Sequence, residues 1–253
     1  RAAAHARFVT EARIQASLHH AAIPPVHERG ELPDGRPYLT MAEVTGETLR
    51  ARLPSWPLER AIEAFEAVCR AVAHAHERGV LHRDLKPSNV MIGEEDSVWV
   101  VDWGLALPRD RGQADAIAGT PAYMAPEQVR PDAPLDERTD VYALGAILYA
   151  ILSGDDPYAG VEPHQIIERL RSASPPAAPS GPSALVALCT QAMDPEPDRR
   201  PSSASALADG ARAWLDRADA PSRRWLGWGI GIGALVVVGI AAAAGWTWSL
   251  QDL

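Results

Sequence analysis

The sequence predicts an α+β fold, mainly helical, with a few short strands near its start and one apolar helix at its end. Helix-period apolar patterns run through Leu58–Arg78 and resume after residue 135. Alternating, strand-like stretches are confined to the neighbourhood of residues 25–44 and to Val98–Val101. The stretch from Trp225 to Leu250 holds 26 residues without one Asp, Glu, Lys or Arg.

The first element is a helix from about Ala2 to Leu18, with Phe8, Ala12, Ile14 and Leu18 on its apolar face, ended by Pro24 and Pro25. Two alternating stretches, Pro25–Glu31 and Arg36–Val44, flank the turn-prone Pro33-Asp34-Gly35 and read as a hairpin. Leu58–Arg78 is the clearest helix. Its apolar face runs through Ile62, Phe65, Ala67 or Cys69, Val72 and Ala73, and Gly79 stops it. Val141–Leu152 is almost wholly apolar and so a buried helix, followed by helices at Pro163–Ser172, Ser183–Met193 and Ser202–Ala218. The Pro-rich Ser174–Pro182 is a loop between helices.

The 253 residues suffice for one large domain or two small ones. Lys plus Arg number 24 and Asp plus Glu 33, a net charge of −9 that argues against a surface built for nucleic acid or other polyanions. The two cysteines, Cys69 and Cys189, each sit in an apolar helical pattern, as buried free thiols of a reducing compartment do. His19, His20, His74 and His76 lack partners at zinc-site spacing and read as capping, packing or exposed residues.

As a helix, the run Trp225–Leu250 spans about 39 Å, enough to cross a hydrocarbon core of roughly 30 Å. Trp225, Trp228, Trp246 and Trp248 frame it, as interfacial aromatics do. Arg217, Arg223 and Arg224 precede it and only Asp252 is charged after it, which places the preceding residues in the cytoplasm. Gly227, Gly229, Gly231 and Gly233 form two small-xxx-small pairs that suit a homodimer of such helices.

Three motifs carry the chemistry. His82-Arg83-Asp84-Leu85-Lys86-Pro87-Ser88-Asn89 comes first; Asp102-Trp103-Gly104 begins 13 residues past Asn89; Gly119-Thr120-Pro121-Ala122-Tyr123-Met124-Ala125-Pro126-Glu127 follows. Phosphoryl transfer asks a protein mainly to position a nucleophile and neutralise phosphate charge. Asp84 suits the orientation or deprotonation of a hydroxyl, and Lys86, two positions on, suits a phosphoryl oxygen. Asn89 and Asp102 are hard oxygen ligands of the kind Mg²⁺ prefers, with Gly104 freeing the backbone to turn after the second.

In this order and spacing the motifs resemble the eukaryotic-type protein kinase family. The resemblance covers roughly Phe8 to Leu215. It implies a protein-kinase-like fold with a mainly helical large lobe and a partial small lobe, to which the charge-free run adds one C-terminal transmembrane helix. It also implies ATP and Mg²⁺ as cofactors and protein hydroxyls as substrates. By resemblance, Asp84 is the catalytic base, Lys86 a phosphate contact, and Asn89 and Asp102 the magnesium ligands. Thr120 pairs with Asp84 and Lys86 in the serine/threonine branch; Glu127 ion-pairs with Arg200; Asp140 holds the catalytic-loop backbone. Glu11 stands where an acid pairs with a strand lysine. Met41 resembles the gatekeeper, Ala42 and Val44 the adenine-binding hinge, Glu47 a ribose contact and Met91 a further nucleotide contact.

Departures from the family pattern carry expectations of their own. No Gly-rich loop or strand lysine precedes Glu11, and the chain opens on Arg1, so a fragment of a longer protein or a truncated product is expected. Trp103 replaces a customary Phe and packs over His82, while Gln15 takes a position that an apolar residue would fill best against Trp103. Between Gly104 and Gly119 there is no Ser, Thr or Tyr, so phosphorylation cannot order this loop through Arg83 unless Thr120 is used. Asp110 and Asp115 are either constitutive stand-ins for a phosphate or solvated loop charges.

The domain reading is a kinase domain over 1–218, a juxtamembrane linker over 219–224 and a transmembrane helix over 225–250. Function follows as a membrane-anchored, cytoplasm-facing, bacterial-type serine/threonine protein kinase with ATP, protein substrates and no nucleic acid as partners. The rival is a non-catalytic scaffold at the membrane, with a small-molecule phosphotransferase third.

Overall fold

The computed structural model describes residues 12–108, 117–131 and 133–218. Contacts divide the chain into a unit Arg1–Arg212, which contains every described strand, and a unit Ala213–Leu253. Glu11, Asp110, Asp115 and the run Trp225–Leu250 lie outside the described residues. Among the described residues no helix is long and apolar enough to cross a membrane.

The described chain is α+β and mainly helical. After helix α1 (12–17) come strands β1 (Val26–Glu31) and β2 (Pro37–Met41), paired antiparallel from Val26 opposite Met41 to Glu31 opposite Pro37. Gly35 takes φ +81° in the turn between them, a conformation that side chains with a Cβ resist. The second strand ends earlier than alternation suggests. The Ala42 N–H still donates to the Pro25 carbonyl, but the chain then leaves the sheet toward β3 (Glu47–Thr48) and the single turn α2 (Leu49–Arg52).

Helix α3 (Leu58–Glu77) is the spine, with Ile62, Phe65, Val68, Cys69 and Val72 fully buried. Each such side chain contributes roughly 1.5–3 kcal/mol. Of the two alternatives on its face, Cys69 is the core residue and Ala67 is half-buried, as is Ala73. Gly79, at φ +70°, donates its N–H to the His76 carbonyl and turns the chain into β4 (Val80–Leu81).

Strands β5 (Val90–Ile92) and β6 (Val98–Val100) complete an antiparallel sheet in the order β3, β5, β6. The pair β4 and β7 (Leu107–Pro108) brackets the segment that holds the candidate site. Helix α4 (Glu137–Ser153) is capped by Asp136, which accepts from the Arg138 N–H, and ends at Gly154 with φ +77°. It packs on α3 and on α6 (Ser183–Ala192), where a Cβ on Gly145 would stand 2.7 Å from the Ala192 Cβ. Helix α5 (Pro163–Arg171) and a helix over 204–218 complete the described chain. Cys69 and Cys189 are free and buried, with burial raising both thiols, Cys189 to about 12.

Candidate active site

The short segment between β4 and β5 has few apolar residues to hold it, so side chains from elsewhere fix its backbone. Asp140, in the first turn of α4 and fully buried, supplies the anchor. Its Oδ2 accepts the His82 N–H and its Oδ1 the Arg83 N–H, both at 2.8 Å, and Oδ2 also meets the His76 Nε2 at 2.8 Å. Burial alone would raise the Asp140 carboxyl, but the hydrogen bond and charge of His76, with help from His82 and the Arg83 backbone, hold it below its ordinary value. His76 therefore has a specific buried partner, 64 residues away in the chain.

Arg83 bears the conformational strain of this arrangement, with φ +71° in the left-handed region. That twist presents the next residue, Asp84, to a cluster of donors. Asp84 Oδ1 accepts from the Thr120 N–H at 2.9 Å and the Thr120 hydroxyl at 3.1 Å. Asp84 Oδ2 accepts from Lys86 Nζ at 2.6 Å, and the same ammonium reaches Thr120 Oγ1 at 2.8 Å. Asn89 Nδ2 donates to the Asp84 carbonyl at 2.9 Å and to Oδ2 at 3.3 Å. The structure thus brings Asp84, Lys86, Asn89 and Thr120 into one contact group, with Asp84 and Asn89 buried.

Asp102 reaches the same neighbourhood through the backbone, because the Val101 N–H donates to the Asn89 carbonyl at 2.9 Å. Asp102 itself is exposed, with φ +63°. The turn after β6 is therefore made by the aspartate; Gly104 has no positive φ. What Gly104 provides is room, since a Cβ there would stand 3.1 Å from Asp102 Oδ1. Trp103 is buried, donates Nε1–H to the Val100 carbonyl at 3.1 Å, and lies 4.5 Å from the His82 ring. Burial lowers the His82 pKa, and the His82 Nδ1 accepts the Asp84 N–H at 3.4 Å.

Asn89 directs its amide nitrogen at Asp84, and its Oδ1 accepts no hydrogen bond among the described residues. It is a free hard-oxygen donor on the segment beside Asp102, a pair that fits a magnesium ion whose other ligands come from phosphate and water. Among the described residues no cluster of three or more His, Cys, Asp or Glu could hold a metal unaided.

The positions expected to face a nucleotide are less closely tied. Met41 is exposed, its sulfur 3.9 Å from the Nε2 of the buried Gln15. Gln15 therefore has a polar partner on β2. The Ala42 N–H is already donated to Pro25 at 3.0 Å, which leaves only the Ala42 carbonyl for a base. Glu47 pairs with Arg52 at 3.5 Å across an exposed surface, and Met91 is half-buried in β5 opposite Thr48 and Trp99.

Below the cluster, Arg200 and Glu127 form a buried two-pronged pair at 2.7 and 2.8 Å. Thr139 adds a hydrogen bond to Glu127, and the guanidinium lies 5.0 Å from the Tyr142 ring centroid. One polar residue at this site gives no sequence signal: Gln128, buried, whose partners are Ala125 and the Arg83 carbonyl 45 residues earlier.

The family described as the protein kinase domain matches residues 1–210. Similar curated proteins include the serine/threonine-protein kinase PknB of Mycobacterium tuberculosis, 42% identical over 169 aligned positions, covering 62% of this chain and 27% of that protein. The DNA damage-responsive serine/threonine-protein kinase RqkA of Deinococcus radiodurans is 34% identical over 215 residues, 80% of this chain and 32% of that protein. A probable serine/threonine-protein kinase of Streptomyces coelicolor is 33% identical over 256 aligned positions, 95% of this chain and 36% of that protein. The chain therefore spans roughly a third of the length of these relatives.

Proposed function

From the chain's membership in the protein kinase family, we propose that it is the catalytic domain of an ATP-dependent serine/threonine protein kinase. The observation that carries this reading is the contact group of Asp84, Lys86, Asn89 and Thr120. Thr120 and Asn89 hold the Asp84 carboxylate in one orientation, so a substrate hydroxyl that displaces one of its four donors, such as the 3.3 Å contact from Asn89, meets an acceptor already aimed. Lys86 has three N–H donors and uses two, on Asp84 and Thr120, which leaves the third for an oxygen of the transferring phosphoryl group. ATP would supply that group, and Asn89 and Asp102 would hold a Mg²⁺ ion whose charge, when bound, offsets that of the phosphates. Met41, Val44, Met91 and the Ala42 carbonyl form the base-binding strip, with Glu47 toward the ribose, and Glu11, outside the described residues, keeps the role of the acid that pairs with a strand lysine.

The proposal extends to organisation: a kinase domain over 1–218, a linker over 219–224 and a single-pass membrane helix over 225–250. The charge-free run framed by four tryptophans and preceded by Arg217, Arg223 and Arg224 supports the anchor and its cytoplasmic orientation.

The test uses the full-length gene product. With Mg-ATP it is expected to place phosphate on serine or threonine of itself or of a protein substrate, and Asp84→Asn should lower the rate about 100-fold or more. Equal rates for wild type and variant would overturn the catalytic reading. No transfer by the wild type, with intact nucleotide binding, would leave the scaffold. Deleting 225–250 is expected to move the protein from the membrane fraction to the soluble one.

A further inference from the structure

We propose that Gln128 is a positioning residue for the catalytic loop, holding the Arg83–Asp84 peptide against the segment that faces the substrate. This rests on the kinase reading of Asp84.

Arg83 sits in a left-handed conformation, φ +71°, that a long cationic side chain does not favour. Both polar groups of its backbone are held by side chains from distant segments. Its N–H is taken by Asp140 at 2.8 Å, and its carbonyl accepts from Gln128 Nε2 at 3.1 Å. The other end of the same amide, Gln128 Oε1, accepts the Ala125 N–H at 2.8 Å. One buried side chain therefore ties the peptide just before Asp84 to the 119–129 segment, which carries Thr120, the second support of the Asp84 carboxylate.

The space around the Arg83 carbonyl is correspondingly tight. A Cβ on Gly119 would stand 3.2 Å from that oxygen and 3.4 Å from Asp84 Oδ1, and Gly119 holds φ +119°. The carbonyl thus has Gly119 on one side and the amide of Gln128 as its donor. The 104–119 interval has no hydroxyl for a phosphate to order, and the Gln128 clamp fixes the peptide before Asp84 without one.

The experiment compares wild type, Gln128→Met and Gln128→Glu in the full-length protein. Methionine keeps the volume and removes both hydrogen bonds. Glutamate keeps the acceptor for Ala125 but sets a carboxylate oxygen against the Arg83 carbonyl. Rates are normalised to bound nucleotide, so that loss of folded protein does not count as loss of catalysis. The expected result is kcat per bound nucleotide about 10-fold lower for Gln128→Met and lower still for Gln128→Glu, with the KM for ATP within about twofold. A side chain that merely packs would leave kcat per site unchanged, and values within twofold of wild type for both variants would overturn the proposal.

Amide exchange over residues 82–86 reads the clamp without catalysis. It should quicken in Gln128→Met, and identical protection in all three proteins would overturn the proposal even if no transfer is detected. Failure of the kinase reading shows separately, as wild-type protein with no ATP-dependent transfer.

Discussion

The catalytic loop, His82 to Asn89, and the hairpin β1–β2 are held by opposite means. The loop is mostly buried with few apolar residues, and its geometry comes from hydrogen bonds to α4 and the 119–129 segment. The hairpin is largely exposed and held by its own ladder, with side-chain bonds such as Tyr38 to Glu28 out in solvent. Chemistry demands the first arrangement. A carboxylate that must accept a proton at a fixed place needs low mobility and satisfied neighbours, which only buried, convergent polar groups supply. A hairpin whose backbone groups pair with one another needs no such support.

The contrast is broken most severely at Asp140. Asp140→Asn places an N–H where the His82 N–H, the Arg83 N–H and His76 now converge on carboxylate oxygens. At least one buried donor is left facing another, and the expected loss of stability is about 3 kcal/mol. Urea unfolding of the variant, compared with wild type, measures it. A change as small as that of an exposed hairpin variant would mean that the loop does not depend on its buried acid.

That dependence also marks the limit of what is legible in the sequence. Asp84, Lys86, Asn89 and Thr120 stand in short motifs, so their residue types announce the chemistry, and the helices announce themselves by apolar period. Gln128 and His76 cannot be found this way, because each acts on a group 45 or 64 residues distant and neither breaks a local pattern. Gly104 differs for another reason. Residue type alone favours glycine for the left-handed turn, whereas tertiary contacts impose that turn on Asp102. The early end of β2 and the short β3 and α2 are likewise set by pairing with distant segments rather than by propensity.

A second effect, intermediate in size, comes from the buried imidazole. Burial holds His82 below its ordinary 6.5, and burial followed by the charge of Arg78 does the same to His20 and His74. Between each folded value and 6.5 the unfolded chain binds a proton that the folded chain does not, so stability rises with pH through that window. It is lost as pH falls below about 6.5. Urea midpoints at pH 5 and pH 7 should show this, and His82→Phe should narrow the difference. An unchanged slope in that variant would assign the pH dependence to His20 and His74, outside the catalytic loop.

The smallest effect belongs to the hairpin. Gly35 holds φ +81° at its turn, and an alanine there keeps the fold but must adopt a left-handed conformation, at a cost of about 1 kcal/mol. Because the hairpin is held by its own ladder, that cost should stay local: amide exchange quickens across Val26–Met41 while residues 82–89 keep their protection. Faster exchange at the catalytic loop in Gly35→Ala would show that the two regions share one cooperative unit, and the division between a locally held hairpin and a convergently held loop would fail.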